Sequence, residues 1–377
     1  MKIGIITQPL RSNYGGILQN YALQRVLSKL GHDVYTINRN NMSIYPQKWT
    51  ARLSFKIKQT IKKIIGRRYT PSYNEFLTIN KNCTEFIEQN IKTTKRFYTQ
   101  EELIKIIDEN NFEAYVVGSD QVWRPIYSLN IYNDFLDFCQ EKPGIRRIAY
   151  AASFGVNEWE FNKEESKECS RLAKLFDAIS VREDSGIALC KEHLGVEATH
   201  VLDPTMLLNK EDYIELFQSA GETPSNGNLF CYILDNAKEI QEAVSYIEKE
   251  LSLTSYRVGA NKESHTIRYG DDMENYIIPS PTKWLRAFMD AKMVFTDSFH
   301  GCVFSIIFNK PFWVIGNKGR GNARFDSLLR LFNLENRRIG LTEIKYTDLK
   351  APIDWNEVNT TRKEWQDVSL NFIKMNL

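Results

Sequence analysis

Apolar residues along the chain come in short runs closed by polar or glycine-containing turns. Residues 2–7 form the first, an isoleucine-rich run of strand length. After a turn over 8–16, Leu18, Tyr21, Ala22, Val26 and Leu30 recur near helical spacing. They predict a helix over 17–30, with Gly31 suited to its C-terminal cap. Residues 34–37 resume as a strand. This strand–helix–strand opening is the unit of a parallel α/β sheet, because parallel strands need a crossover connection. Further strands are predicted at 114–117, 147–151 and 178–181, and 201–205 reads as a last strand and turn. The small polar cluster 221–228 reads as a linker, dividing an N-terminal domain (1–222) from a C-terminal one (223–354). The pattern then repeats, with strands at 229–234, 255–258, 294–296 and 312–315 and a helix over 238–251. A terminal helix over 355–377 is expected to pack back on the N-terminal domain.

The length of 377 residues suits two domains, and 42% hydrophobic with 25% charged residues is a globular composition. A core of that size needs no disulfides. The six cysteines contain no C-x-x-C pair, which speaks against a zinc site or a redox pair. The first apolar run is too short for a signal peptide, and no run reaches the ~18 residues of a membrane span. A reducing, cytoplasmic setting is therefore expected. The net charge of +2 gives no electrostatic footprint for a nucleic-acid partner.

That average hides an asymmetry. Between Asp33 and Glu75 lie nine basic residues and no acidic one, and without them the rest of the chain carries −7. Trp49, Leu53, Ile57, Ile61, Ile64 and Ile65 lie among these charges at roughly helical spacing. The basic insert (42–74) has two readings. A helix within 48–68 lies on the anionic inner leaflet of a membrane, or its isoleucine stripe packs on the protein.

The strongest catalytic motifs are absent. There is no Walker A loop, no G-x-G-x-x-G after the first strand, no H-E-x-x-H and no G-x-S-x-G. The five histidines are too dispersed to suggest a metal site. In open α/β sheets, ligands sit beyond the carboxyl ends of strands, so the turns are where chemistry is expected. His300 follows a strand and precedes the apolar run 303–308, with Asp297 or Ser298 placed to cap that helix. A helix N-terminus suits a phosphate or carboxylate, and a histidine there can pass a proton. Downstream, Lys318, Arg320 and Arg324 among glycines make a cationic loop able to grip a multiply charged anion. In the first half, Asn13, Tyr14, Gly15 and Gly16 precede a helix whose first turn carries Gln19. Asp120 lies close to Trp123, a carboxylate and an aromatic of the kind that recognise sugar hydroxyls. Arg182 ends a strand where its charge reaches a cleft. Each also has a plain structural reading: a cap, a core aromatic, or for Arg182 a surface ion pair with Glu183 or Asp184.

Five segments occur in order: 13–19 (NYGGILQ), 116–123 (VVGSDQVW), 179–183 (ISVRE), 202–205 (LDPT) and 296–301 (TDSFHG). Together they resemble the polysaccharide pyruvyl transferase family, over residues 1 to about 334. The resemblance implies two Rossmann-like α/β domains facing a cleft, similar to the GT-B glycosyltransferase fold. It implies transfer of a pyruvyl group from phosphoenolpyruvate, a co-substrate, to two hydroxyls of a sugar in a bacterial surface polysaccharide precursor, such as a lipid-linked oligosaccharide. The products are a cyclic ketal and phosphate, with no metal and no cofactor required. His300 is then the acid or a phosphate donor, and Asp120 the second catalytic group. Arg182, Ser298, Lys318, Arg320 and Arg324 face the donor. Asn13, Tyr14, Gly15, Gly16, Gln19 and Trp123 face the acceptor. Many members of the family carry an arginine two residues before the histidine; this chain has Ser298 there, and Arg320 or Arg324 is the replacement cation. Two other readings stay open, a GT-B nucleotide-sugar glycosyltransferase and a non-catalytic sugar-binding relative.

Overall fold

A computed structural model describes residues 1–39, 49–235, 237–316 and 321–377. The N-terminal half begins β1 (Lys2–Ile6), α1 (Tyr14–Lys29) and β2 (Asp33–Thr36), followed by the inserted helices α2 (Trp49–Ile64), α3 (Tyr73–Ile79) and α4 (Lys81–Asn90). It continues α5 (Gln100–Asn110), β3 (Ala114–Val117), β4 (Arg146–Ala152), α6 (Lys163–Ala173), β5 (Ala178–Val181), α7 (Ser185–Leu189), β6 (Thr199–His200) and α8 (Lys210–Ser219). The C-terminal half runs β7 (Leu229–Tyr232), α9 (Lys238–Leu251), β8 (Ser255–Tyr256), α10 (Pro281–Asp290), β9 (Met293–Thr296), α11 (Phe299–Ile307), β10 (Phe312–Ile315), α12 (Ala323–Leu331), β11 (Arg338–Ile339) and α13 (Trp355–Asn376).

Among the described residues the strands form two wholly parallel sheets, ordered β2-β1-β3-β4-β5-β6 and β8-β7-β9-β10-β11. The two halves are wound alike. In each, the second strand lies on one side of the first and the third on the other. The direction of winding therefore reverses between β1 and β3, and between β7 and β9. A crevice opens at such a switch point, beyond the carboxyl ends of the two strands. Strands β1, β3, β7, β9 and β10 are four or five residues long, mostly apolar and buried, as is the Ile148–Ala152 end of the seven-residue β4, which suits parallel strands covered by helices on both faces.

Element boundaries differ from the sequence reading where glycine or proline intervenes. Helix α1 starts at Tyr14, nearly a turn before the apolar periodicity begins, because Gly15 and Gly16 are helical here despite their poor intrinsic propensity. Helix α11 likewise starts at Phe299 and takes His300 and Gly301 into its first turn. The expected strand over 201–205 ends instead at β6; Pro204 opens a 3₁₀ turn, Pro204–Leu207, and Asp203 stands at its head.

One apolar cluster runs through both halves, including Tyr14 and Ile17 of α1, Tyr213 and Phe217 of α8, Trp284 and Phe288 of α10 and Phe304 of α11. Tyr213 meets Phe304 edge-on at 5.0 Å. The halves are thus held by buried hydrocarbon rather than by a bare linker. Helix α13 returns to the N-terminal half. There Arg362 donates to the Leu208 carbonyl, Gln366 to the Met206 carbonyl, and Ser369 Oγ accepts from the Leu202 amide. The isoleucine stripe of α2 does not pack on the protein; Ile57 and Ile61 are each 52% exposed and Ile64 78%.

Candidate active site

The two switch points face each other across a cleft of about 540 Å³. From the N-terminal half it is lined by the turn after β1, including Arg11 and Asn13, and by the turn after β3, including Asp120. From the C-terminal half come Tyr232 at the end of β7, Asp297, Ser298 and His300 around the end of β9, and Arg324 of α12. These are the positions where winding reverses in both sheets.

His300 sits in the first turn of α11, 6% exposed. Its Nε2 is 3.6 Å from Asp203 Oδ2. Across the domain boundary its ring lies against Gly15, where any Cβ would overlap Nδ1. The Gly15 position thus has a packing reason: it lets the imidazole close on α1. Gly301 has a parallel one, since a Cβ there would overlap Thr296 Oγ1 at the end of β9.

Asp203 is fixed from several sides. Oδ1 accepts from the Thr205 amide at 3.0 Å and the Thr205 hydroxyl at 2.7 Å, and Oδ2 accepts from Arg182 Nη1 at 2.9 Å. Burial would raise this carboxyl. His300, Arg182 and the Thr205 hydroxyl outweigh it and hold the group below the ordinary carboxylate range. Asp203 is therefore an anion in the folded protein, with Oδ2 turned toward the His300 ring. It lies in the 202–205 segment that carries part of the family resemblance, and nothing local in that segment marks it as a site residue. Its adjacency to His300 joins two segments nearly a hundred residues apart, which spacing along the chain does not display.

Asp120 stands on the turn after β3 with φ +69°, a left-handed conformation uncommon outside glycine, and follows a cis peptide at Gly118–Ser119. The turn is bolted down: the Ser119 amide donates to Gln19 Oε1, Ser119 Oγ to the Ala151 carbonyl, and Thr7 Oγ1 to the Ser119 carbonyl. Arg182 Nη2 reaches Asp120 Oδ1 at 3.3 Å. Burial pushes this carboxyl up, but Arg182, His300 and Arg324 more than cancel that push, and it too lies below the ordinary range.

Arg324 lines the cleft, with its guanidinium 5.5 Å from the centroid of the Phe299 ring; Arg182 approaches the same ring at 4.6 Å. Burial, and then the charge of Arg182, pull Arg324 down to about 10. It remains a cation at neutral pH. Ser298 is the N-cap residue of α11, yet its side chain makes no capping bond. Asp297 does not cap α11 either. Its two carboxylate oxygens accept from the Leu234 and Asp235 amides, tying the turn after β7 to the turn after β9.

Several expected site residues have other roles. Trp123 is wholly buried, stacked on Phe135 at 4.8 Å, with its indole N–H on the Asp134 carbonyl. It is a core residue of the N-terminal half, not a sugar platform, because the chain after Asp120 turns inward. Gln19 is also wholly buried. With α1 starting at Tyr14 it falls in the second turn, facing the sheet, and donates to Thr7 Oγ1 and the Gly16 carbonyl while holding Ser119. Tyr14 is a strut between the halves: it stacks on Trp284 at 5.6 Å and its hydroxyl donates to the Pro279 carbonyl. Gly15 and Gly16 lie within buried helix rather than offering a bare amide cradle. Arg182, expected to hold the donor, has both ends of its fork on Asp203 and Asp120 and a side chain only 1% exposed. It positions the two carboxylates instead. Lys318 and Arg320 lie outside the described residues. Asn13, Asp120, Ser298, His300 and Arg324 do line the cleft.

Glu183 is a further residue that shapes the site without a local sequence signal. Buried completely, its Oε1 accepts from Ser153 Oγ and from the Phe154 and Gly155 amides, fixing the turn after β4. Gly155 then meets Gly321 of the other half, so closely that a Cβ on Gly321 would strike the Gly155 carbonyl.

Paired parallel sheets with a cleft at facing switch points are the GT-B-like arrangement of two Rossmann-like domains. The UDP-GlcNAc 2-epimerase of Neisseria meningitidis, in a structure with UDP-GlcNAc bound, aligns over 100% of both chains with a TM-score of 0.55 at 9% identity. The UDP-GlcNAc 2-epimerase of Methanocaldococcus jannaschii aligns over 98% of both chains with a TM-score of 0.52 at 14% identity. At such identities the likeness is one of fold. No curated protein matches the chain by sequence. The family model described as polysaccharide pyruvyl transferase matches residues 13–319, most of the chain, and includes the cleft residues Asn13, Asp120, Tyr232, Asp297, Ser298 and His300. The protein belongs to the polysaccharide pyruvyl transferase family, and the family marks it as a transferase acting on polysaccharides.

Proposed function

We propose that the cleft takes phosphoenolpyruvate and a sugar and transfers the pyruvyl unit to two sugar hydroxyls as a ketal. The observation that carries this reading is the His300–Asp203 pair at the mouth of α11, with Arg324 beside it, in a chain of this family. Phosphoenolpyruvate is a compact anion carrying phosphate and carboxylate. The N-terminus of α11, left without a side-chain cap, offers amide donors and the positive end of a helix dipole. Arg324 supplies a guanidinium next to the turn where Ser298 stands in place of a family arginine.

The chemistry balances without a metal or redox step. A proton from His300 goes to the methylene carbon of the donor, which becomes a methyl group, and C2 turns electrophilic. One sugar hydroxyl adds to C2 and gives up its proton to Asp120, a carboxylate of the cleft wall. The C2–O bond to phosphate then breaks, and the second hydroxyl closes the ketal. Of the two hydroxyl protons lost, one replaces that given by His300 and the other leaves on phosphate. Asp203, with Oδ2 3.6 Å from His300 Nε2, is the carboxylate placed to orient the imidazole for proton transfer.

Ligand binding tests the donor without knowing the acceptor. A ligand that binds only the folded chain raises its melting temperature by mass action. Phosphoenolpyruvate is expected to stabilise the protein, and Arg324→Ala to remove that shift. Stabilisation by UDP-GlcNAc with none by phosphoenolpyruvate would favour a nucleotide-sugar enzyme instead.

A further inference from the structure

The inserted helix α2 is attached by one face and bare on the opposite one. Its attached face carries Gln59, which is buried and accepts from the Thr70 amide, and Lys63, which pairs with Glu75 at 3.0 Å and lies over the Tyr69 ring. At about 100° per residue, Leu53, Ile57, Ile61, Ile64 and Ile65 gather on the far side of the helix and its continuation. They are 48%, 52%, 52%, 78% and 55% exposed. Five large aliphatic side chains in one exposed stripe are unusual for a surface that meets only water.

Charge narrows what covers the stripe. Lys56 and Lys58 are exposed on its two flanks, and Arg67 and Arg68 are exposed just beyond the helix. No acidic residue occurs between Asp33 and Glu75. An apolar stripe edged by cations on a helix lying along the surface matches an anionic bilayer interface, where the hydrocarbon enters the acyl boundary and lysine and arginine meet the headgroups. Among the described residues no helix is long and apolar enough to cross a membrane. The geometry points to α2 as a surface anchor: we infer that the protein docks on anionic lipid bilayers through Leu53, Ile57, Ile61, Ile64 and Ile65, with Lys56, Lys58, Arg67 and Arg68 on the headgroups.

The anchor is also tied to the cleft. The Tyr69 amide donates to the Ile267 carbonyl, and Tyr69 and Ile79 form an apolar cluster with Ile267 and Tyr276 of the C-terminal half. The guanidinium of Arg11, a cleft residue, lies over the Phe76 ring of α3. Docking through α2 would hold the cleft near the bilayer and favour an acceptor on a lipid carrier. That last consequence rests on the proposed reaction; the docking itself does not.

Flotation of the full chain with vesicles tests it. Vesicles containing phosphatidylglycerol are expected to carry the protein at low salt, and vesicles of phosphatidylcholine alone to carry much less. The double variant Ile57→Asp, Ile61→Asp is expected to lose roughly ten-fold or more in binding, with an unchanged melting temperature. Lys58→Glu with Arg67→Glu and Arg68→Glu should weaken binding and remove its salt dependence. Transfer to a water-soluble glycoside should be unaffected by all of these, which separates failure of docking from failure of the reaction. No binding of the unaltered chain to anionic vesicles, or equal binding by the aspartate variant, overturns the inference. A dimer in light scattering that the aspartate variant splits, without vesicle binding, also overturns it and assigns the stripe to a second copy of the chain.

Discussion

His300→Gln is expected to lower pyruvyl transfer by about 10²–10⁴-fold, the range typical of a lost proton donor, while leaving the melting temperature close to that of the unaltered protein. Glutamine is polar and near in size, so the packing against Gly15 survives, but it supplies no proton to the methylene carbon. The fall should be in kcat, with the KM for phosphoenolpyruvate changed far less, since Arg324 and the α11 amides remain. Gly15→Ala should reproduce much of the loss by a different route, because its Cβ needs the space that the imidazole occupies. Misplacing a reacting group by an ångström is costly even where its chemistry is intact. Steady-state kinetics of both variants check this, and an unimpaired kcat in His300→Gln would remove the histidine from the mechanism.

Asp203→Ala is expected to act on stability as well as rate. It deletes an anion that accepts from Arg182, from the Thr205 amide and hydroxyl, and faces His300. Removing one partner of a buried charge pair typically costs about 3–5 kcal/mol, because the remaining charge is left uncompensated. Arg182 retains Asp120, which places the loss toward the lower end. Denaturant titration measures it.

The same carboxylate sets an acid limb. Its native pKa lies below the ordinary value near ~3.9, as does that of Asp120. Near pH 4 the unfolded chain therefore binds more protons than the native one, and stability rises with pH. The contribution is full well above pH 4 and is lost as pH falls through the depressed native values. Asp203→Ala should flatten this acid loss; an unchanged slope would show that Asp203 is not the group responsible.

The fold was largely legible because central parallel strands are short, uninterrupted apolar runs, and 114–117, 178–181 and 312–315 are strands over those same residues. Glycine hid the true starts of α1 and α11, and with them the side of the helix on which Gln19 and His300 lie. The GT-B-like cleft followed from the family resemblance, and five of its lining residues, Asn13, Asp120, Ser298, His300 and Arg324, from the turns and the cationic loop after the strands. What one sequence does not carry is which turn meets which. Arg182 was read against its chain neighbours, Glu183 and Asp184, whereas its partners come from the turns after β3 and β6. Trp123 is three residues from Asp120 of the cleft wall in sequence and in the core of the N-terminal half in space. Asp203 becomes visible only when the N-terminal half is closed against α11. The basic insert divided the two ways its charge pattern allowed, and the exposure of its isoleucines decides against packing on the protein.

Phosphate release from phosphoenolpyruvate, driven by a panel of free and lipid-linked glycosides and followed by mass and proton spectra of the sugar, tests the central claim most directly. The account predicts release only when a suitable acceptor is present, one phosphate for each sugar that gains a pyruvate ketal, and loss of both signals in His300→Gln. Release of nucleotide from UDP-GlcNAc, with phosphoenolpyruvate untouched by every acceptor, would contradict it.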